Sequence, residues 1–176
     1  MNKVLFLDRD GVINIEKHYL YKIEDFEFID GVFEACRYFI SCGYQIIIIT
    51  NQGGISKGLY TQKDFEILTL WMLEAFKKEH IDILAVYHCP HHPDMGDVCA
   101  CRKPKTGLIE KACSDFEIDL ANSILIGDKN SDIECGISAR IGKNYLISTG
   151  HKIDKNIFGV KILDNLKDLV KKEKDE

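Results

Sequence analysis

The stretch Phe6-Leu7-Asp8-Arg9-Asp10-Gly11-Val12 decides how the rest of the chain is interpreted. The apolar run at 4–7 is typical of a buried parallel strand, and two carboxylates one residue apart follow it. Residues i and i+2 of an extended segment point the same way, so Asp8 and Asp10 are expected to face one pocket. Open parallel sheets bind ligands at the carboxyl ends of their strands. The stretch predicts a cation-assisted nucleophile with an acid/base partner or, alternatively, a polar turn that closes a strand.

The composition of the chain predicts one soluble domain. The chain has 176 residues, of which 45% are hydrophobic, and a net charge of -5, which argues against a nucleic-acid-binding surface. No apolar run approaches the ~20 residues of a membrane span, and the first residues lead straight into a strand without room for a signal peptide. We therefore expect a monomeric, cytoplasmic protein with no membrane or nucleic-acid partner. The domain is predicted at 1–170, and 171–176 is predicted to be a frayed, charged tail.

Strand and helix patterns alternate along the whole chain. Alternation of this kind predicts an α/β fold with a Rossmann-like, mostly parallel sheet and helices on both faces. Thr61 is a candidate N-cap of the longest helix. Strands are predicted at 4–7, 45–49, 83–87, 123–126 and 144–147, with a short edge strand at 160–163. Helices are predicted at 31–41, 62–79, 106–116 and 131–141 and from 165 onward.

Polar residues follow four of these predicted strands. Thr50 and Asn51 come after the second strand, Lys103 lies beyond the third, and Asp128 follows the fourth. A parallel sheet brings these positions to one edge, together with the carboxylates after the first strand. Carboxylates, a hydroxyl and a cation are the groups that phosphoryl transfer requires. The combination therefore indicates Mg²⁺-assisted phosphoryl transfer.

The same motifs resemble those of the haloacid dehalogenase (HAD) superfamily of phosphatases. The matching segments are 8–12, 50–52, Lys103 and 127–132, and they span almost the whole chain. The resemblance implies that Asp8 attacks phosphorus and that Asp10 is the acid/base. It also implies that Thr50 and Lys103 hold the phosphoryl group. Mg²⁺ would be bound by Asp8, the carbonyl of Asp10 and Asp128, with Asp132 in support.

The spacing of the motifs leaves no room for the cap domain that many HAD enzymes carry. An open pocket would have to select its substrate with loops. By the resemblance, the substrate contacts are carried over to Asp8, Arg9, Asp10, Glu16, Lys17, His18, Tyr19, Thr50, Asn51, Gln52, Gly53, Arg102, Lys103 and Lys129.

A loop rich in cysteine and histidine, residues 88–104, precedes Lys103. Cys89-x-His91 and Cys99-x-Cys101 suit a closed, tetrahedral, structural Zn²⁺ site that would fix Arg102 and Lys103. His92 is an alternative ligand, although the spacing favours His91. Free cysteines in a flexible loop are the other interpretation. The remaining cysteines are expected to be core thiols, apart from one at a helix end.

The zinc-binding loop resembles that of the histidinol-phosphate and heptose-bisphosphate phosphatases within the superfamily. The stretches 12–14, 19–20 and 26–32 favour the heptose enzymes, whose substrate is a sugar bisphosphate. Gly53, where a serine is common, and a short span between His91 and Cys99 depart from the pattern. A phosphatase for histidinol phosphate or another small ester remains the alternative. A zinc-bearing binding module is a third hypothesis, disfavoured because every catalytic residue type is present.

Overall fold

The computed structural model describes residues 1–149 and 160–175. The described strands form one parallel sheet in the order β3-β2-β1-β4-β5-β6, which confirms the predicted fold class. The strands are β1 (Lys3–Leu7), β2 (Tyr44–Asn51), β3 (Ile83–Cys89), β4 (Ile124–Gly127), β5 (Lys143–Ile147) and β6 (Lys161–Leu163).

Five α-helices connect or follow these strands within the described residues. Helix α2 begins with the predicted capping residue: the Thr61 hydroxyl accepts from the Asp64 amide, and the Asp64 carboxylate accepts from the Thr61 amide. The helices are α1 (Val32–Ser41), α2 (Gln62–Lys78), α3 (Gly107–Asp115), α4 (Asn130–Ser138) and α5 (Leu166–Asp175).

Helices cover both faces of the sheet because successive strand residues point to opposite sides. In β1, Leu5 and Leu7 belong to the core under α1, α2 and α5, whereas Val4 and Phe6 belong to the core under α3 and α4. All four side chains are almost completely buried. A strand buried on both faces is apolar throughout, which explains why β1 is a continuous run.

The order of strands reverses around β1, and this reversal places the site. The chain builds β2 and β3 on one side of β1, and β4, β5 and β6 on the other. Loops leaving β1 and β4 therefore diverge and open a crevice beyond their carboxyl ends. Asp8 and Asp128 are the first residues after these two strands.

The charged stretch that was predicted to be a frayed tail is helical and contacts strand β5 through Glu173. Helix α5 extends to Asp175, and the Glu173 carboxylate lies 3.1 Å from the Lys143 ammonium group and accepts from the Tyr145 hydroxyl. The sequence shows only a run of charges in this stretch, whereas the fold places Lys143 and Tyr145 of β5 beside the helix.

Insertions between the strands are small. Residues 11–43 hold a single turn of 3-10 helix (Ile23–Asp25) and α1, and residues 52–82 hold α2. The residues that the structure describes thus contain no cap domain, as predicted. None of their helices combines the length and the apolarity that crossing a membrane requires.

Candidate active site

Asp8 lies at the centre of a buried network at the end of β1. Its Oδ1 accepts from the backbone amide of Arg9 (2.9 Å) and from the Lys103 ammonium group (2.8 Å). Lys103 also donates to the carbonyl of Ile49 (2.8 Å) and lies 2.7 Å from Asp132 Oδ1. Lys103 is only 3% exposed, so one cation is held between two carboxylates away from water. Its two acidic neighbours raise the pKa of Lys103 despite its burial.

Three carboxylates, those of Asp8, Asp128 and Asp132, converge within 4.8 Å of one another. Burial and the neighbouring Asp132 carboxylate raise the pKa of Asp8 to about 6, although the Lys103 cation opposes the shift. Burial and the carboxylates of Asp8 and Asp132 raise the pKa of Asp128 to about 9. Like charges this close require a cation or protons between them. The group is therefore suited to a divalent cation with oxygen ligands.

Asp132 is committed to other partners within this cluster. Its Oδ2 accepts from the backbone amides of Asp128 (3.2 Å) and Lys129 (3.1 Å) at the start of α4, and its Oδ1 pairs with Lys103. Both oxygens are thus engaged, and Asp8 and Asp128 are left as the carboxylates best able to hold a cation. The supporting role that the family resemblance implies for Asp132 stays a prediction.

Two glycines make room for the acidic cluster. A Cβ atom on Gly11, which has a φ of +90°, would lie 2.1 Å from Asp128 Oδ2. A Cβ atom on Gly127 would lie 2.2 Å from the Cβ atom of Asp132. Side chains at these positions would displace the carboxylates, so the glycines are required by close approach.

The side chain of Asp10 points away from the three carboxylates. It accepts from the Arg9 guanidinium (3.0 Å), the Asn14 amide (3.0 Å) and the Gln52 amide (3.0 Å). Burial opposes ionisation of Asp10, but Arg9 and these hydrogen bonds outweigh it and lower its pKa. Asp8 and Asp10 are therefore in contrasting environments, as expected of a nucleophile and a proton-transfer group.

Strand β2 supplies the polar groups beside the carboxylates. Thr50 is 1% exposed, and its hydroxyl accepts from the Gln52 amide (2.8 Å). The Asn51 side chain accepts from the Lys103 amide (3.0 Å) and donates to the Lys103 carbonyl (3.1 Å). Asn51 therefore fixes the backbone that carries the buried lysine, in addition to lining the pocket.

A pocket of about 200 Å³ opens above this network. Two of the residues that line it, Lys129 and Glu16, form an ion pair whose charged atoms lie 3.4 Å apart. The residues that line it are Asp8, Asp10, Glu16, His18, Tyr19, Asn51, Gln52, Gly53, Tyr60, His92, Arg102, Lys129, Ser131 and Asp132.

Four predicted substrate contacts do not line the pocket. Arg9 is buried against Asp10 and the Leu20 carbonyl, and Lys17 turns away to the Asp25 carbonyl (2.8 Å). The structure therefore does not place either side chain in the lining of the pocket. Thr50 and Lys103 are almost completely buried, and Lys103 contacts Asp8.

The pocket is also lined by three residues that were not predicted from the sequence, Tyr60, His92 and Ser131. Tyr60 reaches the site because the turn after β2 folds back, and its hydroxyl donates to Gln52 Oε1 (2.5 Å). A Cβ atom on Gly53 would lie 2.7 Å from His92 Cδ2 and 3.1 Å from an Arg102 guanidinium nitrogen, so the glycine admits both side chains. Of these three residues, only Ser131 lies inside a motif that the sequence showed, the fourth motif at 127–132.

The cysteine and histidine residues of the 88–104 loop converge beside the pocket. Cys89, His91, Cys99 and Cys101 present ligand atoms within 4.8 Å of one another, with the two sulfur atoms of Cys89 and Cys101 2.9 Å apart. Desolvation opposes ionisation of Cys99, but hydrogen bonds lower its pKa to about 7. Three thiols and one imidazole nitrogen in this arrangement are compatible with tetrahedral zinc.

Arg102 connects the cysteine and histidine cluster to the pocket. The Arg102 guanidinium donates to the carbonyl of His91 (3.1 Å), while Arg102 itself lines the pocket. His92, the alternative ligand, is not part of the cluster; its Nδ1 accepts from the Asp94 amide (3.2 Å). The order of the loop therefore decides where Arg102 lies.

This chain is similar in sequence to a known protein family and to individual phosphatases. Residues 3–172 match the model of the polynucleotide kinase 3 phosphatase family. The chain is 49% identical to the D-glycero-alpha-D-manno-heptose-1,7-bisphosphate 7-phosphatase of Campylobacter jejuni, over 98% of each chain. It is 39% identical to the D-glycero-beta-D-manno-heptose-1,7-bisphosphate 7-phosphatase of Haemophilus influenzae, over 96% of this chain and 95% of that one.

Solved structures agree in fold. The D,D-heptose 1,7-bisphosphate phosphatase of B. bronchiseptica, complexed with magnesium and phosphate, has a TM-score of 0.86 at 24% identity and covers 98% of each chain. The enzyme of the same name from Burkholderia thailandensis has a TM-score of 0.70 at 24% identity, over 99% of this chain and 100% of that one. Together with the matched motifs, these similarities show that the chain belongs to the polynucleotide kinase 3 phosphatase family, among the HAD-type heptose-1,7-bisphosphate 7-phosphatases.

Proposed function

We propose that this protein is a phosphoric monoester hydrolase that removes the 7-phosphate of D-glycero-D-manno-heptose 1,7-bisphosphate. The observation that carries the proposal is the pair of strand-end aspartates in opposite electrostatic environments. Asp8 lies in the buried carboxylate cluster with Lys103, and Asp10 lies beside it with its own set of donors. The names of the relatives supply the substrate, since both curated relatives act on heptose 1,7-bisphosphate.

In the first step, Asp8 attacks the phosphorus atom and forms an aspartyl phosphate, while the bond to the leaving oxygen breaks. Lys103 and the Thr50 hydroxyl hold the phosphoryl oxygens at the floor of the pocket. Asp10 gives a proton to the leaving oxygen. Its pKa is low in the free protein, and the negative charge of a bound phosphate ester raises it toward the protonated form.

In the second step, the Asp10 carboxylate accepts a proton from the attacking water, which splits the aspartyl phosphate and releases inorganic phosphate. The environment of Asp10 suits this role, because Arg9, Asn14 and Gln52 favour the ionised form. The two steps thus use one carboxyl group in two protonation states.

The acidic cluster fits a magnesium ion held by Asp8, Asp128 and the backbone carbonyl of Asp10. The raised pKa values of Asp8 and Asp128 support this proposal, because these two carboxylates need a positive charge between them. A bound Mg²⁺ would neutralise the charge that develops on the phosphoryl oxygens.

The cysteine and histidine cluster fits a structural zinc bound by Cys89, His91, Cys99 and Cys101. With four protein ligands, such a site leaves no position open for substrate. Its effect on the reaction is indirect, since it fixes the loop from which Arg102 enters the pocket.

The remote phosphate at C1 requires a cation near the pocket mouth. Lys103 is buried between Asp8 and Asp132, whereas Arg102 and Lys129 line the pocket itself. A guanidinium group offers two parallel donors to a phosphate, so we assign the second phosphate to Arg102. The product, a heptose 1-phosphate, would feed nucleotide-activated heptose biosynthesis in the cytoplasm.

A substrate panel tests the proposal. We expect kcat/KM to be highest for heptose 1,7-bisphosphate, with phosphate released from C7, and lower for histidinol phosphate, an aryl phosphate and a 3′-phosphorylated oligonucleotide. Both C1 anomers belong in the panel, because the relatives include enzymes named for each. A preference for histidinol phosphate or for the oligonucleotide would overturn the substrate assignment while leaving the phosphatase chemistry in place.

A further inference from the structure

The Tyr60 hydroxyl ends a chain of buried hydrogen bonds that reaches both Asp10 and Thr50. Tyr60 donates to Gln52 Oε1 (2.5 Å), and Gln52 Nε2 donates to Asp10 Oδ2 (3.0 Å) and to the Thr50 hydroxyl (2.8 Å). Tyr60 is 5% exposed and Gln52 is 2% exposed. Water therefore cannot replace these bonds without a rearrangement of the site.

The direction of each bond in this chain follows from its ends. An ionised carboxylate only accepts, so the amide nitrogen of Gln52 must face Asp10 and its oxygen must face Tyr60. Tyr60 must then be the donor in the third bond. Burial raises the pKa of Tyr60 to about 12, which keeps the proton on its hydroxyl at neutral pH.

The orientation of the Gln52 amide has a consequence for each catalytic group. Because the Thr50 oxygen accepts from Gln52, the proton of Thr50 is left to be donated elsewhere, and a phosphoryl oxygen in the pocket is a suitable acceptor. Because Asp10 also receives a bond from Gln52, its carboxylate keeps a fixed rotation. A reversed amide would instead place an oxygen against a carboxylate and withdraw the donor from Thr50.

Packing fixes Tyr60 in the position that this chain of bonds requires. Its ring stacks on the ring of Tyr21, with centroids 5.4 Å apart and an interplanar angle of 12°. A Cβ atom on Gly54 would lie 2.2 Å from Tyr60 Cε1, so the glycine makes the space that the ring occupies. The turn after β2 thus delivers a rigid hydroxyl to the back of the site.

We propose that Tyr60 is a positioning residue for phosphoryl transfer: its hydroxyl sets the orientation of the Gln52 amide, which in turn orients Asp10 and the Thr50 hydroxyl. The assignment rests on the proposed phosphatase activity and is independent of which phosphate ester is the natural substrate. Tyr60 lines the pocket, but its hydroxyl acts through Gln52 and not on the reacting atoms.

The test is a double-mutant cycle of Tyr60→Phe and Gln52→Leu, with kcat and KM measured on an aryl phosphate and on heptose 1,7-bisphosphate. Tyr60→Phe should lower kcat by about 3- to 10-fold on both substrates, the loss expected from one buried hydrogen bond, with KM changed less than twofold. Gln52→Leu removes the amide whose orientation Tyr60 sets. In that background Tyr60→Phe should have no further effect on kcat.

Tyr21→Phe is the matched control, because it keeps the stacked ring and removes a hydroxyl that is not part of this chain of bonds. If Gln52→Leu has no measurable activity, solvent exchange of the Gln52 side-chain amide protons, followed by NMR, replaces the cycle. Tyr60→Phe should speed that exchange and Tyr21→Phe should leave it unchanged.

Either of two results would overturn the assignment: wild-type kcat in Tyr60→Phe, or an equal loss from Tyr60→Phe in the Gln52→Leu background. Absence of phosphatase activity in the wild-type protein on both substrates would instead overturn the proposed function. The two failures are distinguishable because the first requires a measurable wild-type rate.

Discussion

Lys103 Nζ lies 2.7 Å from Asp132 Oδ1 and 2.8 Å from Asp8 Oδ1, so one buried cation joins the ends of three chain segments. Its position is fixed by the Ile49 carbonyl and by the Asn51 side chain, which clamps its backbone. Lys103, the cation that we propose binds the phosphoryl group, is therefore held in place before any substrate arrives. Preorganised charge of this kind avoids reorganisation during the reaction.

Asp132→Asn should weaken this arrangement. The variant loses one of the two charges that hold Lys103, and we expect kcat to fall by about 10- to 100-fold and the free energy of unfolding to fall by about 1–3 kcal/mol. Kinetics and urea denaturation check both effects. Asp115→Asn, which removes a surface partner of Lys111, is the control and should change neither quantity measurably. Unchanged kcat in Asp132→Asn would contradict the role of the pair.

Asp8→Asn keeps the shape of the proposed nucleophile and removes its charge. Turnover should fall by roughly 10³-fold or more, and no phosphorylated protein should accumulate in rapid-quench experiments with labelled substrate. Asp10→Asn should lose on the order of 10²–10⁴-fold, the usual range for an acid/base group. Substantial turnover by Asp8→Asn with Mg²⁺ present would show that another group attacks phosphorus.

Magnesium activation should depend on pH. In the metal-free protein, the pKa of about 9 keeps Asp128 protonated at neutral pH, and Asp8, with a pKa of about 6, also takes up a proton as the pH falls to 6. Mg²⁺ must displace these protons, so its apparent dissociation constant should fall by up to about tenfold per pH unit for each proton released. Mg²⁺ titrations of activity at pH 6, 7 and 8 measure this. A constant value across that range would refute proton competition.

The same shifts predict how stability without metal depends on pH. In the unfolded chain a carboxyl group has the ordinary pKa of about 3.9. Where its pKa is higher in the folded protein, the folded state binds more protons between the two pKa values, so the free energy of unfolding falls as the pH rises through that range. The metal-free protein should therefore lose stability from pH 5 to pH 8 through Asp8 and Asp128, and Mg²⁺ should restore most of it. Thermal unfolding at both pH values, with and without Mg²⁺, provides the measurement.

Cys101→Ser should release zinc. The protein purified without chelator should contain about one zinc per chain, and the variant should contain much less. Because Arg102 follows directly and is tied to the His91 carbonyl, KM for the bisphosphate should rise while the loop loses its order. Cys113→Ser, which changes a thiol outside the cluster, is the control. A fully active protein that contains no zinc would contradict the prediction.

Arg102→Ala should affect substrate selection. We expect a greater loss of kcat/KM on heptose 1,7-bisphosphate than on a heptose 7-monophosphate, by about 1.5–3 kcal/mol, if a charge-assisted bond to the C1 phosphate is lost. Arg37→Ala removes a surface cation that is paired with Glu79 and does not line the pocket, and it serves as the control. Equal losses on the two substrates would remove Arg102 from selection.

The sequence alone determined the order of strands and helices and the residues at the strand ends. Local pattern carries this information, because a buried parallel strand must be apolar and the polar residue that ends it is visible in the chain. The cysteine and histidine spacing likewise predicted a cluster that the structure brings together. Only the family resemblance suggested the substrate.

The tertiary structure alone decided which side chains meet. Arg9 and Lys17 are cations near the first motif, yet one is buried against Asp10 and the other turns to the Asp25 carbonyl. Tyr60 and His92 line the pocket because Gly54 and Gly53, respectively, have no side chain to occupy the same space. The charged end of α5 packs against β5 through Glu173. Such contacts join residues far apart in the chain and depend on direction and space, which a one-dimensional pattern does not contain.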